Sequence, residues 1–185
     1  MRRTLEFWLL VLSVFVVTLP GSVAFANWDA PYGFYKDLSA WLGSAAGGLL
    51  PVLAWGLWKW RQRELGTPTV GLALAVFLTT TVVGYLAELA LGGKMGYGSG
   101  NILLFAAGGV VGFVLSVMLF AVSIPSILAG GWYYSYDRPL VIAWLVMIAL
   151  TLLVGVLVLK ERRREKLTAP EGQGPSESSS GPGEP

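Results

Sequence analysis

Five long apolar runs, separated by short polar or glycine-rich segments, set the plan of this chain. The first follows Met1-Arg2-Arg3 and covers Phe7 to Val17, then continues through Leu19-Pro20-Gly21 to Ala24-Phe25-Ala26. The other four are 38–58, 69–91, 102–128 and 140–159. Crossing about 30 Å of hydrocarbon takes about 20 apolar residues at about 1.5 Å each, and a soluble core of this size has no need of several such runs. The expected fold class is therefore all-α: a polytopic helical membrane protein with about four transmembrane helices after an N-terminal signal peptide or signal-anchor helix.

The start of the chain supports two readings. A basic n-region, an apolar h-region, a helix breaker and an A-x-A site suit a cleaved signal peptide over 1–26. The same stretch is also long enough to be a first transmembrane helix. The helical membrane domain is expected over 27–160. A basic and then disordered tail is expected over 161–185, where Pro, Gly, Ser and Glu leave almost nothing to bury.

The residues between the runs carry orientation signals. Asn27 to Asp37 is polar and aromatic, and it follows a start anchored by Arg2 and Arg3, which places it outside the cytoplasm. The second run ends in Trp55, Trp58, Lys59, Trp60, Arg61 and Arg63, a mixture typical of a membrane–water boundary. Trp132, Tyr133, Tyr134 and Tyr136 read as an interfacial belt in preference to a stacking site for a ligand. Lys160 to Lys166 halts the fifth run and suits anionic lipid as well.

These signals conflict in one place. Arg2/Arg3, Lys59/Arg61/Arg63 and Lys160–Lys166 all favour the cytoplasmic side. Two crossings join the first pair of clusters, but three runs lie between the second and third. Either one run fails to cross or the bias is violated at the C-terminus. The fourth run is the best candidate for failing, because its glycine pairs and Pro125 permit a re-entrant or broken helix held against its neighbours.

Composition narrows the chemistry. Only 13% of residues are charged, against about 25% in an average soluble domain. The absence of Cys excludes disulfides, thiol chemistry and Cys-held metal centres. The absence of His removes His-ligated haem or zinc and the commonest acid–base group. No catalytic constellation or cofactor site emerges, and the positive excess lies at membrane edges, a distribution unlike a nucleic-acid surface. The loop from Gly92 to Gly100 lacks the spacing and the Lys-Ser/Thr of a phosphate cradle.

Two features remain as candidates. Gly43 and Gly47, extended backward by Ser39, form one small-residue face, and Gly108 and Gly112, extended forward by Ser116, form another. Residues four apart share a helix face and let backbones approach, either within the chain or against a partner. Glu88 is the only acid well inside an apolar run, and it shares a helical face with Thr81, Gly84 and Tyr85. A carboxylate there is either a proton- or cation-handling group, or an interfacial one paired with Lys94 or a helix end.

The function expected from this balance is a non-enzymatic membrane subunit or scaffold that assembles with other membrane proteins, or with itself, through its small-residue faces. A small transporter or channel component built around Glu88 is the alternative. The expected location is a prokaryotic cell (inner) membrane, with the lipid bilayer as the first partner.

Overall fold

A computed structural model describes residues 1–27, 33–97, 100–128 and 137–168 of the chain. Its helices are α1 Arg2–Ala26, α2 Phe34–Arg61, α3 Thr67–Ala90, α4 Ile102–Leu128 and α5 Arg138–Thr168. All five are long and apolar enough to cross a membrane, and no strand occurs among the described residues. The belt residues Trp132 to Tyr136 and the tail beyond Thr168 lie outside them. The last helix outlasts its apolar run because Lys160 to Thr168 is rich in Lys, Arg and Glu, good helix formers.

Two helix ends close in the same way. After α2, the Arg63 N–H donates to the Trp60 carbonyl and the Glu64 N–H to the Lys59 carbonyl. After α3, Gly92 and Gly93 repeat the pattern on Leu89 and Glu88. This geometry satisfies the last free carbonyls and requires a left-handed residue just past the helix. Gly92 meets that need at φ 70°, whereas Arg63 adopts it at φ 60° with a Cβ in the way.

α1 and α2 form a central antiparallel pair. Phe7 stacks on Trp55 with ring centroids 5.9 Å apart, and Val14 packs beside Gly48. α5 runs antiparallel to α1 on its far side, since Trp144 reaches Val16 while Glu165 reaches Arg2. α3 runs antiparallel to α2, with Leu42 beside Gly84 and the Trp60 indole donating to Thr67 Oγ1 at 3.2 Å. Apolar side chains such as Phe7, Leu19, Trp41, Leu49 and Trp144 fill the seams between them.

This register gathers all three basic clusters at one end of the bundle. Glu6 of α1 accepts from Arg2 at 2.9 Å and from Arg162 of α5 at 3.2 Å. Glu64, just after α2, pairs with Arg3 at 3.4 Å and with Lys59 at 3.1 Å. The opposite end carries the junctions α1–α2 and α3–α4, where the Asn27 amide donates to Asp37. The first is the basic end of the bundle and the second its loop end.

α4 lies across the bundle. It begins at the loop end, where the Tyr85 hydroxyl donates to the Gly100 carbonyl at 2.7 Å and Asn101 Oδ1 caps the Leu103 N–H at 2.9 Å. Backbones then touch where Gly109 meets Gly43 and Gly47 of α2, and again where Ser116 meets Gly21 of α1. Val14 stands level with Gly48, so by antiparallel register Gly21, seven residues further on, stands level with Trp41. Between its two crossings α4 therefore advances about 10 Å along its own axis without moving toward the basic end.

Candidate functional site

The buried polar residues are distributed unevenly. Thr18, Ser22, Asp37, Ser39, Ser44, Thr80, Thr81, Glu88 and Ser116 are all buried, and they occupy the middle and loop-end half of their helices. Toward the basic end the core is apolar, with Phe7, Val11, Leu53 and Trp55. Several of the hydroxyls are satisfied by their own helix. Thr18 donates to Val14, Ser22 to Thr18, Thr81 to Phe77 and Ser116 to Gly112. Such i−4 bonds consume the donor locally and leave little to offer a ligand.

The hydroxyls of Ser39, Ser44 and Tyr97 behave differently. Each is buried, and among the described residues Ser39 makes no hydrogen bond while Ser44 and Tyr97 have only each other. A buried polar atom without a partner costs about 1–3 kcal/mol, so it marks either strain or a place for a polar guest. Ser44 and Tyr97 face each other, since both hydroxyls come within 3 Å of the position a Cβ would take on Gly112. Glu88, only 1% exposed, lies near enough for its charge to act on the Tyr97 phenol. Ser39 stands across from Ala87 and Glu88 by the α2–α3 register that Leu42 and Gly84 fix.

Small residues make room for this cluster. Tyr97 enters from the α3–α4 connection, its carbonyl against Gly108 and its ring against Gly112. Phe105 closes the other side, edge-on to Tyr97 at 5.8 Å and to Tyr85 at 6.0 Å, and its tip lies against Gly43 and Gly84. Outside Tyr97 a groove of about 280 Å³ opens between Phe25, Met95, Gly96 and the α4 residues Gly108, Val111 and Leu115. Burial pushes the Tyr97 phenol above its ordinary range; the Ser44 hydroxyl partly offsets this, and the Glu88 charge adds to it.

The residues singled out from the sequence separate on this map. Glu88 belongs to the cluster, but near the loop end of α3 and away from mid-span. Thr81 spends its hydroxyl on its own helix, and Tyr85 is half-buried and holds the Gly100 carbonyl. Lys94 is exposed and forms no ion pair with Glu88 among the described residues. Tyr97 and Ser44, which complete the cluster, carry no signal in the sequence beyond a lone aromatic in a glycine loop and a serine on a small-residue face.

The small-residue faces are used inside the chain. Gly43 and Gly47 meet α4 at Gly109. Gly108 and Gly112 receive Tyr97, and Ser116 meets Gly21. No known protein family matches the chain, and no curated protein and no solved structure matches it.

Proposed function

We propose that this chain is a multi-pass protein of a prokaryotic inner membrane with four crossing helices, α1, α2, α3 and α5, and that α4 is a transverse helix lying on the non-cytoplasmic side of the bundle. The reading is supported by the three basic clusters sharing one end, which reconciles them with the positive-inside bias. Transverse backbone at membrane depth is tolerated where it is packed on protein, and α4 packs on α1, α2 and α3.

The function this geometry supports best is that of a small transport or binding component that takes a proton or a small cation from the outer side, with Glu88 as the accepting carboxylate. One observation carries it: Glu88 is 1% exposed on the loop-end half of α3, near enough to the Tyr97 phenol for its charge to act on it. An ionisable side chain held in such a place in a membrane protein is a functional candidate by default. Tyr97 borders both the outer groove and the cluster, so movement of this one ring opens a route between them. No metal, cofactor or catalysis is part of this reading.

The test is flux into proteoliposomes of pure protein, with pH- and sodium-sensitive dyes inside. Wild type should carry one of the two ions, and Glu88→Gln should abolish that flux while leaving the fold intact. Equal flux in wild type, Glu88→Gln and empty vesicles sinks the reading.

A second reading, a non-enzymatic subunit of a larger membrane complex, is compatible with the broad apolar faces of α3 and α5, which suit a partner helix as well as lipid. Leu72, Leu78 and Leu86 on α3, and Ile142, Leu152 and Val156 on α5, are all more than half exposed. Its test is gentle extraction from native membrane, where stoichiometric companion chains would support it and a lone monomer would count against it.

A further inference from the structure

At the basic end, α1 and α5 border a cleft of about 610 Å³ lined by Arg2, Leu159, Arg162, Arg163, Glu165 and Lys166. Four of these six side chains are cationic and one is anionic. Arg2 and Arg162 are held in place by Glu6 and Glu165. Among the described residues, neither Arg163 nor Lys166 takes part in an ion pair. The cleft thus has a wall of ion-paired arginines and two uncommitted cations at its rim.

Its height follows from helix length. From Arg138 to Leu159 α5 covers 22 residues, or about 33 Å, which spans the hydrocarbon core of a bilayer. The residues beyond Leu159 project into the headgroup layer. Below them α5 presents Leu152, Leu153, Val156, Leu157 and Leu159, each at least 40% exposed. The site therefore pairs cations at headgroup height with an apolar wall at acyl-chain height.

We propose that this cleft binds the headgroup phosphate of one anionic phospholipid of the cytoplasmic leaflet, with its acyl chains lying along α5. Arg163 and Lys166 supply the uncommitted charge, and Arg2 and Arg162 form the back of the cradle. Free phosphate has the charge but nothing to place on the Leu159 face, so lipid is the occupant the geometry favours. The proposal rests on the membrane orientation given above and is independent of Glu88.

The experiment is native mass spectrometry of the full chain released from nanodiscs holding equal amounts of phosphatidylglycerol and phosphatidylcholine. Wild type should retain one phosphatidylglycerol over phosphatidylcholine by about tenfold, a preference that salt weakens. Arg163→Gln with Lys166→Gln should bring the ratio near unity. Lys160→Gln with Arg164→Gln, which removes the same charge from α5 outside the cleft, should leave it unchanged. Both double variants should show the thermal midpoint of wild type, because the removed cations make no ion pairs. Equal retention of the two lipids, an equal loss in both double variants, or displacement of the lipid by an equimolar amount of inorganic phosphate overturns the proposal. A chain that binds phosphatidylglycerol selectively yet carries no ion flux separates this site from the Glu88 reading.

Discussion

The indole N–H of Trp144 on α5 donates to the carbonyl of Val16 on α1 at 2.7 Å. That carbonyl is the one Pro20 leaves without an intrahelical donor, because a proline four residues on has no N–H to give. Trp41 of α2 donates to the neighbouring Phe15 carbonyl at 3.0 Å, so α1 is held from both sides at the turn its proline weakens. The kink-prone turn is thereby converted into the docking point for α5, whose helix contacts otherwise fall mainly on α1.

Coupling between the two residues is the expected consequence. Trp144→Phe keeps most of the apolar contact and loses the hydrogen bond, which should cost about 1–2 kcal/mol. Pro20→Ala restores the intrahelical donor, so the same Trp144→Phe change in that background should cost about 1 kcal/mol less. Unfolding of all four proteins in mixed micelles measures the cycle, and purely additive costs would contradict the substitution of one donor for the other.

The α2–α4 crossing should be intolerant of any side chain. A Cβ on Gly47 or Gly109 meets backbone atoms of the facing helix, which have nowhere to go. Gly47→Val or Gly109→Val should cost at least about 3 kcal/mol or prevent folding. Gly71, on the open face of α3 with nothing near its Cβ position, should accept Ala with a gain of up to about 1 kcal/mol. Thermal midpoints of the detergent-solubilised proteins decide this, and a tolerated Gly47→Val would show that the helices do not meet there.

The chain contains no cysteine, so single cysteines report topology directly. Lys94→Cys and Arg138→Cys flank α4, and both should be labelled from outside the cell by a membrane-impermeant maleimide. Gln62→Cys and Leu167→Cys should be labelled only from inside. If Lys94→Cys and Arg138→Cys report opposite sides, α4 crosses the membrane and the arrangement of four crossings is wrong.

Tyr97 gives a pH signature. Burial raises its folded-state value above the ordinary phenol range, so the neutral form is the one the fold favours. The stability it contributes is complete below the unfolded value of about 10 and is lost as the pH rises through the higher folded value. Between pH 9 and 11.5, wild type should therefore lose thermal stability more steeply than Tyr97→Phe. Parallel curves would place the phenol in water.

α1 is expected to remain in the mature protein. Phe7 and Leu19 are fully buried, and α2, α4 and α5 all pack on α1. Its removal would expose these surfaces and leave Trp41 and Trp144 without their acceptors. Intact mass of the membrane-extracted protein should include residues 1–26, and a mature chain starting near Asn27 would refute this.

Some of this was legible in the sequence, because the signals are local. Five apolar runs of sufficient length imply five helices whatever their arrangement, since a backbone in lipid must satisfy itself. The basic clusters and the odd count of runs raised a re-entrant or broken fourth run; α4 is instead one continuous helix with Pro125 inside it, and its course is a matter of packing that no run length records. Tertiary structure decided the rest. Gly108 and Gly109 are indistinguishable as letters, yet a rotation of about 100° between adjacent residues sends one to Tyr97 and the other to α2. Glu88 could be singled out alone, but Tyr97 and Ser44 come together only because both pack against Gly112 of α4. Hydropathy fixes how much of a chain must leave water; which polar atoms end up facing one another depends on contacts between segments far apart in sequence, and no local pattern records them.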